Sequence, residues 1–85
     1  MTNALWKKGQ LHVPHDSDDY VCCEVEYKTH TDKAILISQN DEGIWVPRSL
    51  LAWRTDRKMD NISRGDILEM HVRAWFAYKN NLEWS

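Results

Sequence analysis

The sequence predicts a mainly β (α+β) fold: a small, partly open antiparallel barrel, SH3-like or OB-like, of four or five strands with a C-terminal helix. Three observations carry this expectation. Lys33–Ser49 (KAILISQNDEGIWVPRS) reads as two β-rich runs about a polar turn, ended by a proline. Tyr20–Lys28 and Ile67–Val72 alternate apolar and polar residues with the period of two of a half-buried strand. From Ala74 the period becomes that of a helix. An open sheet with the helix on one face satisfies the same pattern, and the sequence does not choose between the two closures.

Residues 1–85 are read as a single domain with one modest core: an arm and loop over 1–19, a β core over 20–72 and a helix over 73–82. The arm carries two anchors, Leu5-Trp6 and Leu11-Val13, ahead of the acidic run His15-Asp16-Ser17-Asp18-Asp19. In the first strand Val21, Cys23, Val25 and Tyr27 share the inward face, and Cys22, Glu24, Glu26 and Lys28 the outward one. Thr29-His30-Thr31-Asp32 is a tight polar connection, so the next strand runs back antiparallel. That strand has apolar residues on both faces (Ala34, Leu36; Ile35, Ile37), the pattern of a central strand.

Asn40-Asp41-Glu42-Gly43 is the turn of the hairpin, and Ile44-Trp45-Val46 the return strand, which Pro47 ends because it lacks the N–H a ladder needs. Ser49 is placed to cap a short turn or helix. Trp53 is read as a core residue, and the polar Arg54–Asn61 as a surface loop. The Gly65-Asp66 turn introduces the last strand, with Leu68, Met70 and Val72 inward. In the closing helix Trp75, Tyr78 and Leu82 fall on one side, with Phe76 and Lys79 beside them.

Little in the chain points to chemistry. Adjacent Cys22 and Cys23 face opposite sides of a strand, so they form no disulfide framework, and their reduced state suits a cytosolic protein. The only metal-like grouping, His12 and His15 with Asp16 and the two cysteines, lacks the spacing for a tetrahedral site, because only one of the cysteines can face it. No Ser, Cys or Asp stands at a triad spacing from His30 or His71, and three scattered glycines make no phosphate loop. No apolar run spans a membrane, and the N-terminus has no signal-peptide core. The expectation is therefore no enzyme, no cofactor, no metal and no membrane partner.

The net charge of −2 argues against a dedicated duplex-DNA binder, but its distribution is uneven: residues 1–42 carry −4 and residues 43–85 carry +2. Trp45, Arg48, Trp53, Arg54, Arg57 and Lys58 cluster after the hairpin, with Lys79 a neighbour from the helix. Trp and Arg dominate protein interfaces, and they also stack bases and hold phosphates in single-strand grooves. The competing reading has Trp45 and Trp53 in the core and the cations solvated. Asp16, Asp18, Asp19, Glu24 and Glu26 form a second patch, which can imitate nucleic acid toward a basic groove.

The succession Lys33-Ala34-Ile35-Leu36, Ile44-Trp45-Val46-Pro47-Arg48-Ser49, Gly65-Asp66 and Trp75-Phe76-Ala77-Tyr78-Lys79-Asn80-Asn81-Leu82 resembles a set of small, mostly uncharacterised phage and prophage proteins over residues 20–82. The resemblance implies a phage setting, hence a bacterial host cytoplasm, and a small β fold; it brings no known activity. Together these readings point to a non-enzymatic protein that occupies a host protein or nucleoprotein complex, in host defence or nucleic-acid machinery such as a CRISPR effector. The alternative is a single-stranded nucleic-acid-binding module on an OB-like face, ranked second by the net charge. The oligomeric state is left open, a dimer through an exposed sheet edge included.

Overall fold

The computed structural model describes residues 19–84; the reading of the preceding arm, with Asp16 and Asp18, falls outside them. Strand β1 (Tyr20–His30) buries Val21, Cys23, Val25 and Tyr27, as its alternation requires. Lys28 is an extra residue between the pairs Tyr27↔Ile37 and Thr29↔Leu36, so β1 bulges there against β2 (Ala34–Gln39). The Thr31 hydroxyl accepts the N–H groups of Lys33 and Ala34 at 3.3 and 3.2 Å and closes the β1–β2 turn.

The next turn is shorter than its sequence suggests. Asn40 and Asp41 make it alone, at φ 54° and 66°, the left-handed geometry of a two-residue hairpin loop. Gly43 is therefore not turn material but a residue of β3 (Glu42–Pro47), paired with Ser38. β3 does end at Pro47, and the 3₁₀ turn Arg48–Leu50 that follows has no side-chain cap, so Ser49 does not play the capping role.

Strand β4 (Ile67–Arg73) pairs with β1 along its whole length, giving an antiparallel sheet in the order β3-β2-β1-β4. The expected barrel is not closed. The chain leaving β3 does reach the far edge: Leu51 bridges Val72, and the Ala52 N–H donates to the His71 carbonyl at 2.8 Å. That crossing brings Leu51, helix α1 (Trp53–Arg57) and a 3₁₀ turn (Lys58–Asp60) alongside β4. Residues 54–61 are thus not a passive loop. Thr55 and Met59 are buried, and the Thr55 hydroxyl accepts the His71 N–H at 2.9 Å.

The core lies on one face of the sheet, where Ile35, Ile37, Val46, Leu68, Met70 and Val72 are fully covered, each stabilising by about 1.5–3 kcal/mol relative to exposure. Helix α2 (Ala74–Lys79) packs on β1 and β4 through Ala74, Phe76 and Ala77, and not through the Trp75–Tyr78 side. Small residues let the helix axis approach the sheet, whereas Trp75 and Tyr78 are half-buried at its flanks. The helix stops before Leu82. Asn81, at φ 59°, reverses the chain, with the Leu82 N–H on the Ala77 carbonyl (2.9 Å) and the Asn81 N–H on that of Tyr78 (3.2 Å). This C-terminal cap turns Leu82 into the core.

Replacing Thr55 by valine keeps the shape and removes the acceptor, leaving a buried His71 N–H unpaired. Urea denaturation should show a loss of about 1–3 kcal/mol at an unchanged m-value. A loss below about 0.5 kcal/mol would mean that this N–H finds another partner.

Candidate binding groove

Arg54, Arg57, Lys58 and Asn61 recur at three- and four-residue intervals, so they share the side of the α1 segment opposite to buried Thr55 and Met59. That side faces the start of β4. Between them lies an open groove of about 590 Å³, whose other wall is Asp66, Ile67 and Leu68, with Trp53 and Ile62 completing the lining. Two large apolar side chains here are left in solvent: Trp53 is 72% exposed and Ile67 63%. The Arg57 guanidinium lies over the Trp53 ring at 4.6 Å, a cation–π contact that holds both groups in the groove. Neither Arg54, Arg57 nor Lys58 has an anionic partner within ion-pair distance among the described residues.

The groove brings together Trp53, Arg54, Arg57 and Lys58 and leaves out the other basic and aromatic candidates. Arg48 is engaged in the fold, its Nε donating to Asp56 at 2.7 Å and a terminal nitrogen to the Thr31 carbonyl at 3.2 Å. The Asp56 hydrogen bond raises the guanidinium pKa above its ordinary value, so this cation is a clamp between the turn after β3, α1 and the β1–β2 turn. Trp45 stands 52% exposed on β3, opposite Leu36 on the outer face, and neither it nor Lys79 lines the groove. Both tryptophans read as core candidates are therefore out of the core.

The acidic candidates separate as well. Glu24 and Glu26 lie on the outer face of β1, Glu26 beside Lys28 at 3.4 Å. Asp19 precedes the strand, about 17 Å from Glu24 at the usual strand rise, and its carbonyl accepts the Ala74 N–H. The structure adds a residue that the spacing within one strand could not show: Glu69 of β4 is paired directly with Glu24. Ile67, the apolar wall of the groove, was equally hidden, because its place in the alternation gives it an outward face but not an edge.

The thiols are poorly placed for nucleophilic work. Burial pushes Cys22 up, Glu69 and Glu24 push it further, and Lys58 only partly opposes them. Burial, with a smaller contribution from Cys22, raises Cys23 from 9.0 to about 12. No group of three or more His, Cys, Asp or Glu residues converges as a metal site, and no helix is long and apolar enough to cross a membrane, among the described residues. Comparison with protein-family models, curated proteins and solved structures gives no match to this chain.

The Cys23 shift has a consequence for stability. Between about pH 9 and about pH 12 the native thiol keeps its proton while the unfolded chain releases it. The unfolded state then binds fewer protons, so stability falls as pH rises, by at most about 1.4 kcal/mol per unit. Below that window the contribution is flat. Denaturation curves of the parent and of Cys23→Ala, taken across the window, should converge as pH rises; a constant difference would show that Cys23 ionises normally.

Proposed function

We propose that this is a non-enzymatic binding protein that acts by occupying a macromolecular partner through the α1 groove. The observation that carries the reading is Trp53, left mostly in solvent with Arg57 stacked on it, beside Arg54 and Lys58, which have no ion-pair partner among the described residues. A fold this small gains by burying a ring of that size, and holding it out is the arrangement of an interface anchor. The raised thiols support a non-catalytic reading, because the thiolate is the nucleophile.

The setting rests on the resemblance of residues 20–82 to small phage proteins, which favours the cytoplasm of a bacterial host and a partner in host defence or nucleic-acid machinery, in the manner of an anti-CRISPR inhibitor. The bridge of Leu51 to Val72 supports kinship with partly open small barrels of SH3-like or OB-like kind. On that kinship the second reading is single-stranded nucleic acid held by the same Trp53 and cations.

The test compares the parent with the triple variant Arg54→Ala, Arg57→Ala, Lys58→Ala. Stability should change by no more than about 0.5–1 kcal/mol per site, the cation–π contact included. Capture of protein partners from bacterial lysate should fall at least tenfold, with a flatter salt dependence. Equal capture by a folded variant would make the groove passive. Quenching of tryptophan by oligothymidylate at low salt, lost as salt rises, would favour the nucleic-acid reading instead.

A further inference from the structure

Only part of β4 is covered on the side away from β1. Both backbone groups of His71 leave the sheet on that side, the N–H to the Thr55 hydroxyl and the C=O to the Ala52 N–H. Along a strand these directions alternate residue by residue, so Glu69 and Ile67 also present N–H and C=O away from β1. The carbonyl of Asp66 has the opposite phase and accepts the Tyr27 N–H at 2.9 Å, as this alternation requires. Nothing among the described residues bonds the outward groups of Ile67 and Glu69. The groove opens at this point, with Ile67 in its wall.

Resting on the reading of α1 as a binding surface, we infer that this stretch of β4 takes an extended, acidic peptide segment of a partner protein, which adds as a short strand beside Ile67–Glu69. Three features select that occupant. The edge offers donors and acceptors in alternation, and only a polypeptide backbone answers both; a phosphodiester chain carries acceptors but no donors for the two carbonyls. The facing helix supplies Arg54, Arg57 and Lys58 against two carboxylates, Asp66 in the groove and Glu69 on the edge, so the balance is positive and the segment that fits is negatively charged. Exposed Trp53 and Ile67 give its alternate, apolar side chains a surface to cover. A second copy of this chain is a poorer occupant, since the strand it would bring presents Glu69 to Glu69 when the two edges pair in antiparallel register about that residue.

The probe is a short end-capped peptide alternating glutamate and valine, titrated into the full chain with tryptophan fluorescence as the readout. Methylating the peptide's backbone amides at one alternate set of positions should weaken binding by about tenfold or more, and methylating the other set should leave it unchanged, because a strand uses alternate amides toward one neighbour. Lysine in place of glutamate should abolish binding. In hydrogen exchange, the amides of Ile67 and Glu69 should slow on adding the peptide, whereas those of Leu68 and Met70 are already protected in the free protein. No binding of the glutamate–valine peptide, equal binding of the two methylated forms, or unchanged exchange at Ile67 and Glu69 would overturn the proposal. Binding lost in the Arg54→Ala, Arg57→Ala, Lys58→Ala variant with unchanged exchange at the edge would overturn the strand and leave the groove standing. Slowed exchange with undiminished binding by that variant would overturn the cationic surface. Oligothymidylate binding without peptide binding would transfer the site to nucleic acid.

Discussion

His71 turns both of its backbone groups away from the sheet, and the segment that follows the hairpin takes up both. Pro47 makes this necessary as well as feasible: it ends β3, so the chain has to leave the sheet before it can go on. What brings it back on the opposite side is the bridge of Leu51 to Val72 together with the Ala52 and Thr55 bonds to His71. An unsatisfied buried N–H costs about 1–3 kcal/mol, so the segment that takes the His71 N–H out of water has to bring the Thr55 hydroxyl with it. The Arg48–Asp56 pair fixes the same crossing from its start, holding the turn after β3 to α1 and to the Thr31 carbonyl.

Strands β1 and β4 were legible because each buries one face, and a one-sided strand writes its burial into the sequence at a period of two. Val21, Cys23 and Val25 pair with the inward residues Val72, Met70 and Leu68 of β4 in the expected phase, and Tyr27 with Ile37 of β2. The α1 segment was not legible. Its buried residues are Thr55 and Met59, and Thr55 is inside to satisfy a donor on a strand sixteen residues away in sequence. Hydrophobic periodicity has no means of recording that. In α2 the phase misled for a different reason: the residues nearest the sheet are alanines, and Leu82 reaches the core through a left-handed asparagine after the helix, not along the helix face.

Charge, likewise, was legible as a division of the chain but not as a place. The acidic first half and basic second half meet in the β1–β4 pair, where Glu24 stands opposite Glu69, an arrangement that costs about 0.2–1 kcal/mol. Glu26 is paired with Lys28, so Glu24 and Glu69 leave the middle of the outer face negative, while Arg54, Arg57 and Lys58 make the groove beside β4 positive. The two fields are adjacent and of opposite sign, and an approaching acidic segment is steered off the sheet face and toward the groove.

Exposed sheet edges invite uncontrolled pairing, and on the β4 side this fold limits the risk by length. The free stretch of β4 is bounded on one side by the Thr55–His71 bond and on the other by the Gly65-Asp66 turn, in which Gly65 takes a φ of 93° and its N–H returns to Tyr27. Between these limits two residues, Ile67 and Glu69, offer an N–H and a C=O each, so an added strand gains at most four backbone hydrogen bonds. At about 0.5–1.5 kcal/mol apiece they contribute roughly 2–6 kcal/mol, less than or comparable to the 4–15 kcal/mol that association costs in lost rigid-body freedom. Backbone pairing alone therefore cannot hold a partner, whether a stray edge or a specific one. The remainder has to come from side chains, and the groove places them where such a strand would lie: a solvent-exposed tryptophan, a stacked arginine and two further cations. On this arithmetic the edge sets the conformation of what binds, and the α1 face decides which segment binds at all.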